Sequence, residues 1–483
     1  MPSLAQLDHQ YVWHPFTQMR DWLKREPIVI VSGKGATLRD AKGREFLDAN
    51  SSIWTNLHGH NHPKINAAIN RQLKKIAHSS ALGFANEPAG LLAEKLVQMA
   101  NPKLECRNKR PRRDGVAPRL GKVFFSDDGS TAMEVALKLA YEFARRTGKR
   151  RPRFLSLAGA YHGDTIGAVS LGHIDLFHKA YGGLLFKSDK VAAPYCYRCR
   201  YNRAKPERAD AREYRKCNWE CLGKLEQKFS ARKKKNPYAA FVFEPLMQGA
   251  AGMIAQPEGW LRRAAGIARG HGAQLIADEV MTGFGRANVK FQSSNFKSPL
   301  LACHAENVQP DFAALAKGLT GGYLPMAATL TTPEVFAAFL GEYEEFKTFF
   351  HGHSYTGNQL GASAALASLE ILQSAESIRA RKLLEQTLRE ELKTLWNLPN
   401  VGDIRQVGLA VGIELVRDWR TREPFALRER AGIRICDAMG KKGILTRPIG
   451  NVIVLMPPYC TTPFQARRMV RAVYEACDET FGR

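Results

Sequence analysis

The chain has 483 residues, 45% of them hydrophobic, which supports a large buried core and excludes wholesale disorder. Its 71 Lys and Arg against 46 Asp and Glu leave +25, which first points to an anionic partner such as nucleic acid, a membrane surface or a phosphorylated ligand. The excess is local: residues 101–235 hold 32 basic and 14 acidic side chains, or +18, and the rest of the chain carries only +7. At ~100–200 residues per domain, two or three domains are expected.

Met1 to Gln10 holds no apolar core of signal-peptide length, and no stretch approaches the ~20 apolar residues of a membrane span. A soluble cytoplasmic protein is expected. Strand-like pairs around Ile28–Val31, Thr37–Arg39 and Arg44–Asp48 come first. Short apolar runs at Lys122–Phe125, Phe154–Leu157, Ala240–Phe243 and Gln274–Ala277 then alternate with helical stretches at Thr131–Arg146 and Leu261–Arg269. That alternation predicts an α/β core with a mostly parallel sheet covered by helices. After Asn358 an Ala/Leu-rich helix, Gln359–Leu372, leads to strands at Gly408–Leu415 and Val452–Leu455, which suggests a smaller α+β domain that the N-terminal strands join. Residues 1–60, 61–357 and 358–483 are read as the N-terminal segment, the large domain and the small domain. Two basic stretches, Arg107–Arg119 and Arg198–Lys235, read as solvated surface insertions.

Nine cysteines in an odd count argue against a disulfide scaffold. Cys106, Cys303, Cys436, Cys460 and Cys477 are scattered and read as ordinary thiols. Cys196, Cys199, Cys217 and Cys221 have spacing compatible with tetrahedral zinc, although reduced thiols are the simpler reading.

Local features converge on one kind of site. Ser126-Asp127-Asp128-Gly129-Ser130-Thr131 joins an apolar run to a helix, so its N–H groups suit an anion, with plain N-capping as the alternative. Tyr161-His162-Gly163 follows a strand, and its tyrosine could cover a planar ring or simply fill the core. Asp278-Glu279 ends an apolar strand where open α/β sheets bind ligands. Lys317 stands between Ala314-Leu315-Ala316 and a Gly-rich turn. Burial there would lower its pKa and make its amine a nucleophile for a carbonyl, whereas a snorkelling surface lysine is the commoner case.

The order Gly129-Ser130, Tyr161-His162, Glu244, Asp278, Lys317 is more specific than any member. In that order the sequence resembles the class III (ω-amino) aminotransferases of fold type I that use pyridoxal 5′-phosphate, over nearly its whole length. The termini resemble the biotin-pathway members: Trp13-His14-Pro15-Phe16-Thr17-Gln18-Met19, Ser51-Ser52-Ile53-Trp54 with His58-Gly59, and His351-Gly352-His353-Ser354-Tyr355-Thr356-Gly357-Asn358. The resemblance implies a large domain built on a seven-stranded, mostly parallel sheet, and a small domain drawn from both termini. Lys317 would hold the cofactor and shuttle the proton, Asp278 would pair with the ring nitrogen, and Tyr161 would cover the ring beside His162. Gly129 and Ser130 would take the phosphate, completed by His353 and Ser354 of a neighbouring subunit in a homodimer, with Gly352 close to substrate. Arg405 would receive the keto substrate's carboxylate, with Arg447 a second candidate. Phe16, Ile53 and Trp54 would line the substrate pocket, and Glu244 has no fixed role.

The implied reaction is ping-pong transfer of an amino group to 8-amino-7-oxononanoate. Phe16, Ile53 and His353-Ser354 stand where adenosylmethionine-using relatives carry Tyr, Trp and Pro-Thr. S-adenosylmethionine and lysine therefore both stay open as donors, and another ω-amino acid or diamine aminotransferase is the remaining enzymatic alternative. A nucleic-acid contact is the remote one, because Tyr195, Tyr197, Tyr201 and Trp219 lie among basic residues.

Overall fold

The computed structural model describes residues 2–102, 119–149, 152–232, 236–287 and 300–482. Cys106, nearly all of the first basic stretch, and Lys233–Lys235 at the end of the second lie outside these residues.

Three N-terminal strands, β1 (Ile30–Lys34), β2 (Thr37–Asp40) and β3 (Glu45–Asp48), form an antiparallel meander. The central sheet takes β4 (Lys122–Ser126), β5 (Arg153–Leu157), β6 (Asp189–Val191) and β7 (Tyr238–Phe243). A short hairpin, β8 (Met247–Gln248) and β9 (Ile254–Ala255), stands apart. β10 (Gln274–Asp278), β11 (Phe312–Leu315) and β12 (Ala327–Thr331) complete the central sheet in the order β4-β12-β11-β10-β7-β5-β6. β12 alone runs against its neighbours. The expected seven-stranded, mostly parallel sheet is present.

The physical reason is plain in β7, where every position of Tyr-Ala-Ala-Phe-Val-Phe is buried, as a strand covered by helices on both faces requires. β12 was not legible as a strand because Ala-Ala-Thr-Leu-Thr makes no apolar run. It is nonetheless fully buried, with Thr329 donating to the Ala132 carbonyl at 2.7 Å.

The C-terminal strands β13 (Val401–Val407), β14 (Ala410–Leu415), β15 (Ile444–Leu445), β16 (Pro448–Ile449) and β17 (Val452–Leu455) split between two sheets. Four make an antiparallel sheet, β13-β14-β17-β16, while β15 pairs in parallel with β3. The N-terminal meander is thus built onto C-terminal chain. The helix Gln359–Gln373 packs on helices Pro63–Leu73 and Glu87–Met99, and its Ser368 hydroxyl lies 3.0 Å from His58 Nε2 and 3.3 Å from the Gly318 carbonyl.

The second basic stretch is docked rather than solvated. Arg208 donates to the Leu398 and Val401 carbonyls at 2.7 and 2.8 Å, and Arg212 to that of Gln406 at 2.9 Å. Arg198 pairs with Glu414 at 2.8 Å. These arginines satisfy carbonyls and a carboxylate of the C-terminal sheet, which a lysine point charge would do less well. No described helix is long and apolar enough to cross a membrane.

Candidate active site

The C-terminal ends of β4, β5, β7, β10 and β11 point the same way, and each hands a polar residue to one region. Lys317 follows β11 and has φ of +44°, outside the range that side chains prefer. The glycines after it allow close packing: a Cβ on Gly318 would lie 2.7 Å from Leu57 Cδ1. This contact draws the Ser51–Trp54 segment over the lysine, and Lys317 Nζ sits 4.7 Å from the centre of the Trp54 ring. Burial lowers the Lys317 pKa, and the carboxylates of Asp278 and Glu244 partly oppose it.

The Trp54 segment is itself strained. Ser51, Ser52, Ile53 and Trp54 have φ of +47°, +47°, +63° and +72°, a left-handed turn made without glycine. Polar anchors hold it there. Ser51 Oγ donates to the Met456 carbonyl at 2.7 Å and Ser52 Oγ to Asp48 at 3.0 Å, while Trp54 N–H reaches Asn50 at 2.8 Å. Beneath the indole, Gly249 leaves room that a Cβ would take from Met281 Sδ and the ring. The Trp54 Nε1 atom is buried without a partner among the described residues.

Asp278, at the last position of β10, is buried, and its Oδ2 lies 2.7 Å from His162 Nδ1. Its other oxygen accepts the Val280 N–H at 3.1 Å. His162 is buried too, and its Nε2 has no partner among the described residues. Tyr161, beside it, donates its hydroxyl to Asp164 at 2.7 Å. Burial first, and Asp164 second, raise the phenol's pKa so that it stays protonated. Its ring meets Phe16 at 6.5 Å and Phe177 at 6.3 Å, and stacks on His178 at 6.2 Å. Glu244 accepts the Gly249 N–H at 2.7 Å and the Tyr161 N–H at 3.4 Å, and burial pushes its pKa up to about 7.

Gly129 and Ser130 open the helix Gly129–Arg146, where Asp128 caps the Thr131 N–H at 2.9 Å. The N-capping expected of that turn is present. A Cβ on Gly129 would lie 2.7 Å from Val280 Cγ1, so glycine is needed for the helix to approach β10. Ser130 Oγ lies 2.8 Å from Thr165 Oγ1 and accepts the Thr165 N–H at 3.0 Å. Asp164, Thr165, Phe177 and His178 were not singled out in the sequence. For the first two the signal was present, since they continue the Tyr161-His162-Gly163 run.

His353 Nδ1 lies 3.4 Å from Asp127 Oδ2 of the same chain. Ser354 is exposed, with its carbonyl 3.0 Å from His78 Nε2, and Gly352, before His353, is exposed too.

The two candidate arginines differ sharply. Arg405 is buried, and four hydrogen bonds engage its guanidinium: Met253 and Gly252 carbonyls at 2.9 and 2.7 Å, Asp403 at 2.8 Å and Glu414 at 2.6 Å. Burial disfavours the Glu414 carboxylate, but Arg405 and Arg198 overcome it and hold its pKa below the ordinary value. Arg447 is exposed, and its Nη2 lies 3.4 Å from the carbonyl of Phe16, the residue that packs against Tyr161. Of these two arginines, Arg405 is held by two carboxylates, whereas Arg447 makes no ion pair among the described residues.

The four clustered cysteines carry free thiols, and burial pushes that of Cys196 up to about 12. Among the described residues, no group of three or more His, Cys, Asp or Glu is placed to hold a metal. Of the aromatics there, Trp219 is sandwiched between Arg215 and Arg263 at 3.9 and 4.4 Å, and Tyr197 is buried.

A family profile, aminotransferase class-III, matches residues 19–476. Among curated proteins, adenosylmethionine-8-amino-7-oxononanoate aminotransferases are similar to this chain. That of Geobacter sulfurreducens is 45% identical over 95% of this chain and 94% of its own length. That of Methanocaldococcus jannaschii is 42% identical over 99% and 98%. The crystal structure of the Methanocaldococcus jannaschii protein matches with a TM-score of 0.86 at 40% identity, covering 99% of this chain and 98% of that one. An ω-transaminase of Pseudomonas jessenii in complex with PMP matches with the same TM-score at 26% identity, over 100% and 99%.

Proposed function

The chain belongs to the class-III aminotransferases, and on that footing we propose that it aminates 8-amino-7-oxononanoate to 7,8-diaminononanoate in biotin biosynthesis, with S-adenosyl-L-methionine as donor. The observation that carries amino transfer is the Lys317 amine, depressed in pKa by burial, held over Trp54 within the field of Asp278 and Glu244. The acceptor and donor follow the names of relatives 42–45% identical over nearly the whole chain. The ω-transaminase structures share the fold at lower identity, which favours them less.

Pyridoxal 5′-phosphate fits the residues present: a depressed amine, a braced carboxylate, and a glycine-opened helix N-terminus with the Ser130 and Thr165 hydroxyls beside it. When bound, it supplies an electrophilic carbon and a ring that accepts the electrons of a bond broken at the substrate's Cα. Lys317 Nζ would hold the group in place and, when free, would move a proton between the substrate's Cα and the cofactor's C4′ carbon. Asp278 would pair with the ring nitrogen and keep it protonated, while His162 holds that carboxylate's orientation. Tyr161 covers the ring as a neutral phenol. Ser130 and the Gly129 N–H hold the phosphate. Arg447 takes the acceptor's carboxylate, in place of the internally engaged Arg405; its contact with the Phe16 carbonyl at 3.4 Å, beside the aromatic wall, supports that reading.

A homodimer is part of this reading, with His353 and Ser354 completing the neighbour's phosphate site. The exposed apolar residues Leu82, Phe84, Phe350 and Tyr355, near that loop in sequence or space, support a covered face there. Lysine is the second reading for the donor, because Phe16 and Ile53 bring neither a hydroxyl nor an indole to the pocket. Single-turnover conversion of the holoenzyme by each donor, followed by product formation from 8-amino-7-oxononanoate, tests both. Conversion by lysine alone would replace the donor assignment, and no product with either would reject the acceptor.

A further inference from the structure

A second concave site lies away from Lys317, at the β6 edge of the central sheet. Its walls are Lys190–Ala193, the turn Tyr195–Tyr201, and one face of the helix Glu220–Arg232 that presents Cys221, Lys224, Gln227, Lys228 and Ala231. The cavity has a volume of about 640 Å³, in the range that small ligands occupy.

Its charge is one-sided. Lys190, Arg198, Arg200, Lys224 and Lys228 line it, and no acidic residue does. Arg198 is already neutralised by Glu414 at 2.8 Å. The other four are exposed, and among the described residues none makes an ion pair. Lys224 reaches only the Gln227 side-chain oxygen at 3.1 Å, and Arg200 only the Tyr201 hydroxyl at 2.6 Å, with its guanidinium 4.8 Å from that ring. Elsewhere in the same segment arginines are neutralised or capped: Arg232 by Asp189, Arg203 by Glu220, Arg208 by backbone carbonyls. Unpaired cations facing one cavity repel one another, and an anion of high charge density relieves that repulsion. The floor of Val191, Ala192, Ala193 and Ala231 is apolar, and Tyr201 supplies a ring at the rim.

We infer that this cavity binds a small anion carrying two or more adjacent phosphoryl groups, with Lys190, Arg200, Lys224 and Lys228 as its cationic contacts. A single carboxylate would leave three of the four charges unbalanced, and a single phosphate about two. An extended nucleic acid would need a run of stacking faces, whereas Tyr197 is buried, Trp219 already carries Arg215 and Arg263, and Tyr201 supplies a single ring at the rim. The shared chemistry has two sources, inorganic polyphosphate and a nucleoside polyphosphate, and the apolar floor beside Tyr201 is where a base would lie.

The test uses holoenzyme, so that the cofactor's own phosphate site is filled. Tripolyphosphate and ATP, each without added metal, are titrated calorimetrically at low and at physiological salt. Saturable 1:1 binding that weakens with salt is expected. Lys224→Gln with Lys228→Gln together, and Arg200→Gln alone, should each weaken binding at least tenfold while melting temperature and transaminase turnover stay at wild-type values. ATP binding tighter than tripolyphosphate would identify a nucleotide, and equal affinity would identify the polyphosphate itself; both support the proposal. Absence of saturable binding to wild-type holoenzyme would overturn it, and so would binding that both variants retain.

Discussion

His162 tests the reading of the active site most directly, because it acts on the reacting group only through Asp278. Its Nδ1 lies 2.7 Å from a carboxylate that is itself buried, so the contact is a charge-assisted hydrogen bond shielded from water. Such bonds contribute about 1.5–3 kcal/mol, so replacing His162 by Leu should cost roughly 10- to 150-fold in kcat/KM. Leucine fills much of the same space but cannot donate, so the carboxylate would lose its partner while the packing is largely kept. His162→Asn retains an N–H donor and should recover most of that loss. The assay is kcat and KM for both half-reactions, with the apparent affinity for pyridoxal phosphate read from the visible absorbance. A positioning role predicts that the leucine variant loses kcat and cofactor affinity together and that the pH profile of kcat shifts. If His162→Leu keeps kcat/KM within twofold of wild type, or lowers only the melting temperature, Asp278 is oriented without the imidazole and His162 has no positioning role.

Lys317→Ala should abolish turnover while leaving the fold intact, checked by product formation and circular dichroism. Arg447→Ala should raise KM for 8-amino-7-oxononanoate roughly 10- to 100-fold, a loss of about 1.4–2.7 kcal/mol, and leave the donor half-reaction unchanged. Arg405→Ala should instead lower stability by about 3–5 kcal/mol in denaturant titration, because Asp403 and Glu414 lose the cation buried between them. For Glu244, burial raises the folded-state pKa from 4.5 to about 7, so the folded protein holds that proton more tightly than the unfolded chain. Stability from this group is therefore highest below pH 4.5, falls as pH rises to 7, and is lower by about 3 kcal/mol beyond it. Glu244→Gln should flatten that part of the stability–pH curve. Ile53→Gly should stabilise the chain by roughly 1 kcal/mol in equilibrium unfolding, by relieving one left-handed residue that is nearly half exposed.

The elements most legible in the sequence were those whose local pattern and tertiary environment agree. Gln274–Ala277 reads as a buried strand and is one, ending in the Asp278 that meets His162. The helix after Gly129 is both patterned and capped, so its start could be placed to within two residues. β12 could not be read because its burial comes from neighbours on both faces rather than from its own apolar side chains. The same holds for the basic stretch after Arg198, whose charges suggested a solvated insertion. Its arginines meet carbonyls more than 190 positions away in sequence, and no local window contains those acceptors.

The arginines show where the division falls. By itself the sequence determined the chemistry available: an order of glycine, tyrosine, aspartate and lysine that resembles the class-III aminotransferases, and a net charge concentrated in residues 101–235. It could not say which cation is free to work. Arg405 stands in the more suggestive motif, yet Asp403, Glu414 and two carbonyls engage it, whereas Arg447 reaches the Phe16 loop from the surface. Likewise the segment's described cations include arginines docked on the C-terminal sheet and four, around one cavity, that make no ion pair among the described residues. A side chain's charge is a property of its residue type, but its availability depends on which groups the fold sets within about 3 Å of it. Only the tertiary structure decides that.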